Sequence, residues 1–450
     1  MLKFYWKLIQ IKKTASNFNI ETASFVFMNF KTHVSRKNYQ WVKWSRIALC
    51  SALVGIVVGL LTLMFKTLVE QYEHLLLHKA KDFQLFFIVF PFIGLALIYV
   101  LRQFVFNKKK NKGISEVLEA VQSKKKIPSY KVLSHFFNGF LTVVFGGTTG
   151  IEVSTVVATA TLGDMASRKD VIFKKYRKEF MGAAIASGVT ILFCSPLAGL
   201  FFSYETIRKQ KTKVFWITHI LSVAFATAIL FLMNVHPLVD LSQYVHDWKY
   251  EALPFFIVLS MLSGVYGVYM TKVVTYSKKA SFFEHRPLLQ LLIGSIFLGS
   301  ILYFLPELYG SGYHTIIQFT QKKSYILSIA LLALILVIVK PFTTGLTLKL
   351  GGDGGVFAPS IFAGACLGLI VGMLTKMYFV PDVLVLNFVI LGVALTVGAT
   401  LHAPFTAIFL TFGIFNSYVL WLPLIALTFV SYFLSKRIFP YTVYTLSVRK

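Results

Sequence analysis

The stretch Gly351-Gly352-Asp353-Gly354-Gly355-Val356-Phe357-Ala358-Pro359 reads as a glycine turn running into an apolar helix. Pro359 falls where a first helical turn tolerates a missing N–H. Such a start leaves backbone N–H groups free, and the positive end of the helix dipole adds to them, so the turn suits an anion. The continuation, Ile361 to Met373, is rich in Gly and Ala and allows close helix packing. Without a gap, the same pattern occurs earlier as Gly146-Gly147-Thr148-Thr149-Gly150-Ile151-Glu152-Val153-Ser154. There a carboxylate, Glu152, stands at the equivalent helix start.

A second pair follows in the same order. Ser195-Pro196-Leu197-Ala198-Gly199-Leu200-Phe201-Phe202 matches Ala403-Pro404-Phe405-Thr406-Ala407-Ile408-Phe409-Leu410. The chain therefore reads as two related halves, 47–235 and 252–446, joined by a polar linker, 236–251, that is poor in basic residues and expected on the outer side. Residues 1–46 are basic and aromatic without a signal-peptide pattern, and are expected to form a cytoplasmic arm at the membrane surface, with Ile47 opening the first full span.

Composition identifies the solvent. Of the residues 56% are hydrophobic and 14% charged, mean hydropathy is +0.70, and a soluble domain carries about 25% charged residues. Ile47 to Met64, Leu85 to Leu101, Val214 to Met233, Leu288 to Phe304 and Ser324 to Val339 are long enough, or nearly so, to cross a bilayer as helices. The formal charge of +27 is concentrated in blocks between these runs: Lys108 to Lys112, Lys124 to Lys126, Arg168 to Lys178, Arg208 to Lys213, Lys278 to Lys279 and Lys436 to Arg437. That is the pattern of cytoplasmic loops, and it argues against a nucleic-acid partner. Cys50, Cys194 and Cys366 have neither metal-site spacing nor the number for a disulfide framework, and no cofactor is expected.

An ionisable group at membrane depth is a functional candidate by default. A carboxylate among unpaired N–H groups occupies an anion's place when ionised and withdraws when protonated, so Glu152 reads as a pH-sensing gate; the alternative is a plain helix cap. Asp164 reads as a structural hydrogen-bond partner, Asp353 as a turn residue and His402 as part of an interrupted helix. No His-Glu-x-x-His or Gly-x-Ser-x-Gly motif supports an enzyme. The rings of membrane acids expected of a cation transporter are missing as well.

Gly354-Gly355-Val356-Phe357-Ala358-Pro359, Ser195-Pro196-Leu197-Ala198-Gly199 followed by Glu205, Lys340-Pro341, and Gly310-Ser311-Gly312-Tyr313 resemble, in order, the CLC chloride channels and chloride/proton antiporters. The resemblance implies an all-α polytopic membrane protein of two inverted-topology repeats with many tilted and interrupted helices. It implies a homodimer in the bilayer, each subunit passing chloride or similar anions. Val356 and Phe357 would then offer backbone N–H groups to the anion, Glu152 would gate, and Tyr444, with Tyr441 as the alternative, would donate its hydroxyl. No cytoplasmic regulatory domains of the family's kind are expected after Tyr444. A bacterial inner membrane with the N-terminus cytoplasmic is the expected location.

Departures from the family pattern fall at two places. The motif Gly-Ser-Gly-Ile-Pro aligns with Asn111-Lys112-Gly113-Ile114-Ser115, which puts Lys112 where the anion-contacting serine belongs, with Gly113 and Ile114 bordering the same site. A Lys112 ammonium turned inward at about 4 Å would attract an anion by on the order of 4 kcal/mol; turned outward, it ends the basic run. The exchangers' inner proton glutamate aligns with Thr206, next to Glu205. Because threonine does not titrate in this range, the sequence reading favours a glutamate-gated chloride channel, with chloride/proton antiport as the alternative.

Overall fold

The computed structural model describes residues 36–107, 111–123, 125–207, 212–239, 241, 244, 247–279, 286–321 and 327–448. The N-terminal arm up to residue 35, Lys108 to Lys110, Lys124, Arg208 to Lys211 and residues 324–326 of the last apolar run lie outside them. Among the described residues the regular structure is helical. Among the described residues eight helices have the length and composition to cross a membrane: Gln40–Asp82, Phe86–Val105, Lys213–Leu232, Tyr250–Lys279, Pro287–Phe304, Leu327–Lys349, Phe357–Tyr378 and Trp421–Leu446. The protein is an integral, multi-pass membrane protein.

The first helix is longer than the apolar run foretells. Arg36–Asp82 is continuous over 47 residues, so the end of the basic arm is already helical. Nothing between Arg36 and Ile47 breaks a helix, since the segment contains neither Gly nor Pro. At 1.5 Å per residue the helix measures about 70 Å, more than twice a hydrocarbon core of about 30 Å. Leu49, Leu53, Leu60, Met64 and Leu68 form an exposed apolar stripe along it, while Ile47, Val54 and Val58 are buried. An exposed stripe of this kind is the face that lipid solvates.

The repeat seen in sequence is a repeat of local structure. Glu152–Ser167 and Phe357–Tyr378 begin at aligned positions of the two glycine motifs. Gly146 and Gly351, also aligned, take φ of +86° and +103°, values that a side chain strongly disfavours. Downstream, Arg177–Phe193 ends at Cys194 and Val385–Leu401 ends at His402, both left-handed with φ of 52° and 55°. Each left-handed residue reverses the chain, and a short helix starts at once with proline in its first turn, Pro196–Phe202 and Pro404–Phe415. Arg177–Phe193 and Val385–Leu401 are buried along nearly their whole length.

The linker packs against the second half. The N–H groups of Val239 and Leu241 donate to the carbonyls of Ile414 and Phe415 at 2.9 and 3.0 Å, and Lys249 pairs with Asp382 at 3.0 Å. That ammonium holds the exposed Asp382 carboxyl below the usual carboxylate range. Asp164 is held by Arg168, Arg177 and, at 2.9 Å, the N–H of Ile127, a structural role.

Candidate functional site

The two glycine-led helix starts meet head to head. A Cβ placed on Gly150 would lie 2.5 Å from the Ala358 Cβ and 2.1 Å from Oε2 of Glu152, so only glycine lets the starts approach this closely. Glu152, 2% exposed, folds back over its own helix start and toward that of the second half. Its Oε1 accepts the Tyr313 hydroxyl at 2.7 Å. Oε2 has no hydrogen bond of normal geometry, but the backbone amides of Glu152 and Ala358 lie close enough to act on the carboxylate. The side chain thus stands among helix-start donors, where a free anion would be favoured.

The next shell assembles from four separate parts of the chain. The Val356 N–H donates to the Tyr444 hydroxyl oxygen at 3.2 Å. A Cβ on Gly355 would lie 2.6 Å from that same oxygen and 2.2 Å from Cγ2 of Val153, and one on Gly113, at φ +67°, would lie 3.3 Å from Cγ1 of Val153. Glu152, Val356, Tyr444 and Gly113 are therefore neighbours, with Ile114 fully buried beside them. Phe357 is fully buried too, its ring stacked on Phe193 at 6.3 Å and edge-on to Phe202 at 5.3 Å. These rings fix the start of Phe357–Tyr378 and hence the direction of its free amides.

The remaining sequence candidates stand apart. The Lys112 side chain is 64% exposed and faces Glu119 at 3.7 Å, so its ammonium is turned away from Val356 and Tyr444. This is the geometry of the outward-turned alternative, and the cause is simple: outside, the charge keeps its water and gains a carboxylate. Glu205 is occupied as a cap. Its carboxylate accepts the N–H groups of Phe405 and Thr406 at 3.1 and 2.8 Å and the Thr406 hydroxyl at 2.6 Å, closing the start of Pro404–Phe415 across the two halves. Thr206 presents a buried hydroxyl with no hydrogen-bond partner.

Two features carry no role in the sequence reading. Tyr313 belongs to the Gly310–Tyr313 motif, a signal that points to the residue without saying that it reaches Glu152. Behind it, Lys340, fully buried, donates to the carbonyls of Leu308 and Gly310, each at 3.2 Å, and lies 4.8 Å from the Phe362 ring centroid. Glu73, which senses the Lys340 charge, accepts the Ser311 N–H and hydroxyl at 2.8 and 2.9 Å. Together they hold the turn that aims Tyr313.

Chemically, the arrangement offers oriented N–H dipoles, a hydroxyl, and one carboxylate able to trade places with an anion or take up a proton.

Comparison with known proteins agrees with this geometry. Residues 93–436 match the family model described as voltage gated chloride channel. The chain is 29% identical over 402 residues to the H(+)/Cl(-) exchange transporter ClcA of Vibrio cholerae serotype O1 (strain M66-2), covering 83% of each. It is 30% identical over 328 residues to the protein of that name in Vibrio vulnificus (strain YJ016), covering 70% of this chain and 68% of the relative. Among solved structures it superposes on a slow cyanobacterial Cl-/H+ antiporter with a TM-score of 0.76 at 21% identity, covering 90% of this chain and 97% of the other. A CLC-type fluoride/proton antiporter gives 0.75 at 21% identity, covering 92% and 99%. At this identity the two superpositions establish the fold.

Proposed function

Since the chain belongs to the voltage-gated chloride channel, or CLC, family, we propose that it exchanges chloride for protons across the membrane, with Glu152 as the group that trades the two. The observation that carries this reading is the buried Glu152 carboxylate among the helix-start amides. Ionised, it competes with chloride for the same donors; protonated, it gives up its claim to them and leaves the place to the anion. Alternating the two states couples one flux to the other. The Vibrio relatives bear the name of exchange transporters, and this favours exchange over the channel that the threonine at 206 suggests.

Val356, Phe357, Tyr444, Gly113 and Ile114 form the anion site in this reading, through backbone N–H groups and the tyrosine hydroxyl. The chain works as a homodimer with one pathway per subunit, in a bacterial inner membrane with its N-terminus inside; the basic blocks between spans support that orientation.

The test is reconstitution into liposomes with simultaneous recording of chloride and proton flux. A chloride gradient is expected to drive protons uphill, and Glu152→Gln is expected to keep chloride flux while abolishing proton movement. Chloride flux with no proton movement in the wild type would reinstate the channel.

A further inference from the structure

Thr206 offers no titratable group on the inner side, so a proton moving toward Glu152 has no carboxylate there to start from. A different buried cluster lies next to the anion site. Asp353, three residues before Val356, and Asn111, two before Gly113, are joined by a hydrogen bond from Asn111 Nδ2 to Asp353 Oδ2 at 2.8 Å. The same Oδ2 lies 2.7 Å from Nδ1 of His135, which is completely buried, at ion-pair distance but off the line of a hydrogen bond. Asn111 Oδ1 accepts from Lys131 Nζ at 2.9 Å, and Lys131 pairs with Glu116 at 2.8 Å. Beyond Glu116 come the exposed Lys112 and Glu119, so the cluster has a solvent side.

On its other side the cluster adjoins the gate. The Asp353 carbonyl accepts the Thr149 hydroxyl at 3.4 Å, three residues before Glu152. Tyr130–Val144 carries His135, Asn138 and Gly139 on one face, and a Cβ on Gly139 would lie 2.6 Å from Oγ of Ser154, in the first turn of Glu152–Ser167. Along this seam His135 Nδ1 and Nε2, Asn138 Oδ1 and Ser154 Oγ are buried with no hydrogen bond of normal geometry among the described residues, and Glu152 opens the helix that carries Ser154. An unsatisfied buried polar atom costs about 1–3 kcal/mol, so side chains of this kind gathered along one helix contact suit a path for water or protons.

We propose that His135, paired with Asp353, is the inner proton-binding group of the exchange, and that protons pass between it and Glu152 along the seam of Tyr130–Val144 against Glu152–Ser167. This rests on the exchange reading. With Nδ1–H turned to Asp353, the neutral imidazole takes a proton at Nε2 from the cytoplasmic side. The imidazolium then passes the Nε2 proton into the seam, and the Glu152 carboxylate receives it as O–H; only N–H and O–H bonds change. The charges facing His135 are Asp353 from the glycine turn, Lys131 on its own helix, Glu116 from Ile114–Ser123, and Glu152 across the seam. Lys278, at the end of Leu253–Lys279, is also sensed by Asp353.

The experiment compares wild type with H135Q in liposomes, reading chloride and proton flux together. Chloride flux is expected to continue in H135Q while uphill proton transport falls by about tenfold or more, with Asp353→Asn changing the ratio in the same direction. An unchanged proton-to-chloride ratio in H135Q, or equal loss of both fluxes in a folded H135Q, would mean that His135 only staples the two turns and would overturn the proposal. Should H135Q not assemble, Asp353→Asn is read alone: a fall in the proton-to-chloride ratio is expected, and an unchanged ratio overturns the proposal. A wild type that passes chloride without protons overturns the exchange reading and this one together. A coupled wild type beside an equally coupled H135Q overturns this one alone.

Discussion

The hydroxyl of Tyr313 donates to Oε1 of Glu152 at 2.7 Å, so the candidate gate of the first half is held by a turn of the second. A hydrogen bond to a charged group contributes about 1.5–3 kcal/mol, and its loss would free the carboxylate to leave the helix-start donors. Tyr313→Phe is therefore expected to raise chloride turnover in liposomes by roughly tenfold. Turnover at or below the wild-type rate would mean that this bond does not restrain Glu152.

Lys112 is the position where the chain departs most visibly from the family motif, yet its exposed ammonium meets only Glu119, at 3.7 Å. An exposed pair of this kind is worth about 0–1 kcal/mol. Lys112→Ser is expected to leave chloride affinity, measured by titration calorimetry, within about twofold of wild type. A loss of tenfold or so would place the ammonium in the pathway after all.

Glu205 caps Pro404–Phe415 through three hydrogen bonds from Phe405 and Thr406. Glu205→Ala removes the cap and is expected to lower stability by about 1–2 kcal/mol, seen as a lower melting temperature in detergent. The ratio of protons to chloride should not change. A shifted ratio at wild-type stability would make Glu205 part of the proton route instead.

Lys340 is fully buried, with two carbonyl acceptors and the charge of Glu73 nearby. Breaking a buried ion pair in contact costs about 3–5 kcal/mol, and this sets an upper bound for two buried charges that interact without touching. Lys340→Met is expected to destabilise by up to that amount, and Lys340→Met with Glu73→Gln by less, since the second change removes the stranded charge. Equal melting temperatures for the single and double variants would show that the two groups do not depend on each other.

Much of the site was legible in sequence because helix starts are local events. The glycines, Pro359 and Glu152 announce their turns within a few residues, and the spacing of the two motifs survives as aligned helix starts at Glu152 and Phe357. The left-handed breaks at Cys194 and His402 were legible only through the proline two positions later, because neither residue type advertises φ above zero. The start of the first helix ahead of Ile47 was not legible for a related reason: hydrophobicity marks where lipid begins, while a helix begins wherever the backbone permits one.

By itself, then, the sequence determined the solvent, the doubled architecture and the position of the carboxylate, all of which follow from composition and short-range pattern. Only the tertiary structure decided which groups face that carboxylate. Tyr313 lies 161 residues from Glu152, Asp353 lies 242 from Asn111, and Tyr444 lies 88 from Val356. Contacts over such separations depend on how whole helices pack, and no local pattern records them. The same packing turned Lys112 outward and committed Glu205 to a cap, because a charge in a membrane protein goes to water or to a partner, and only the fold determines where each is found.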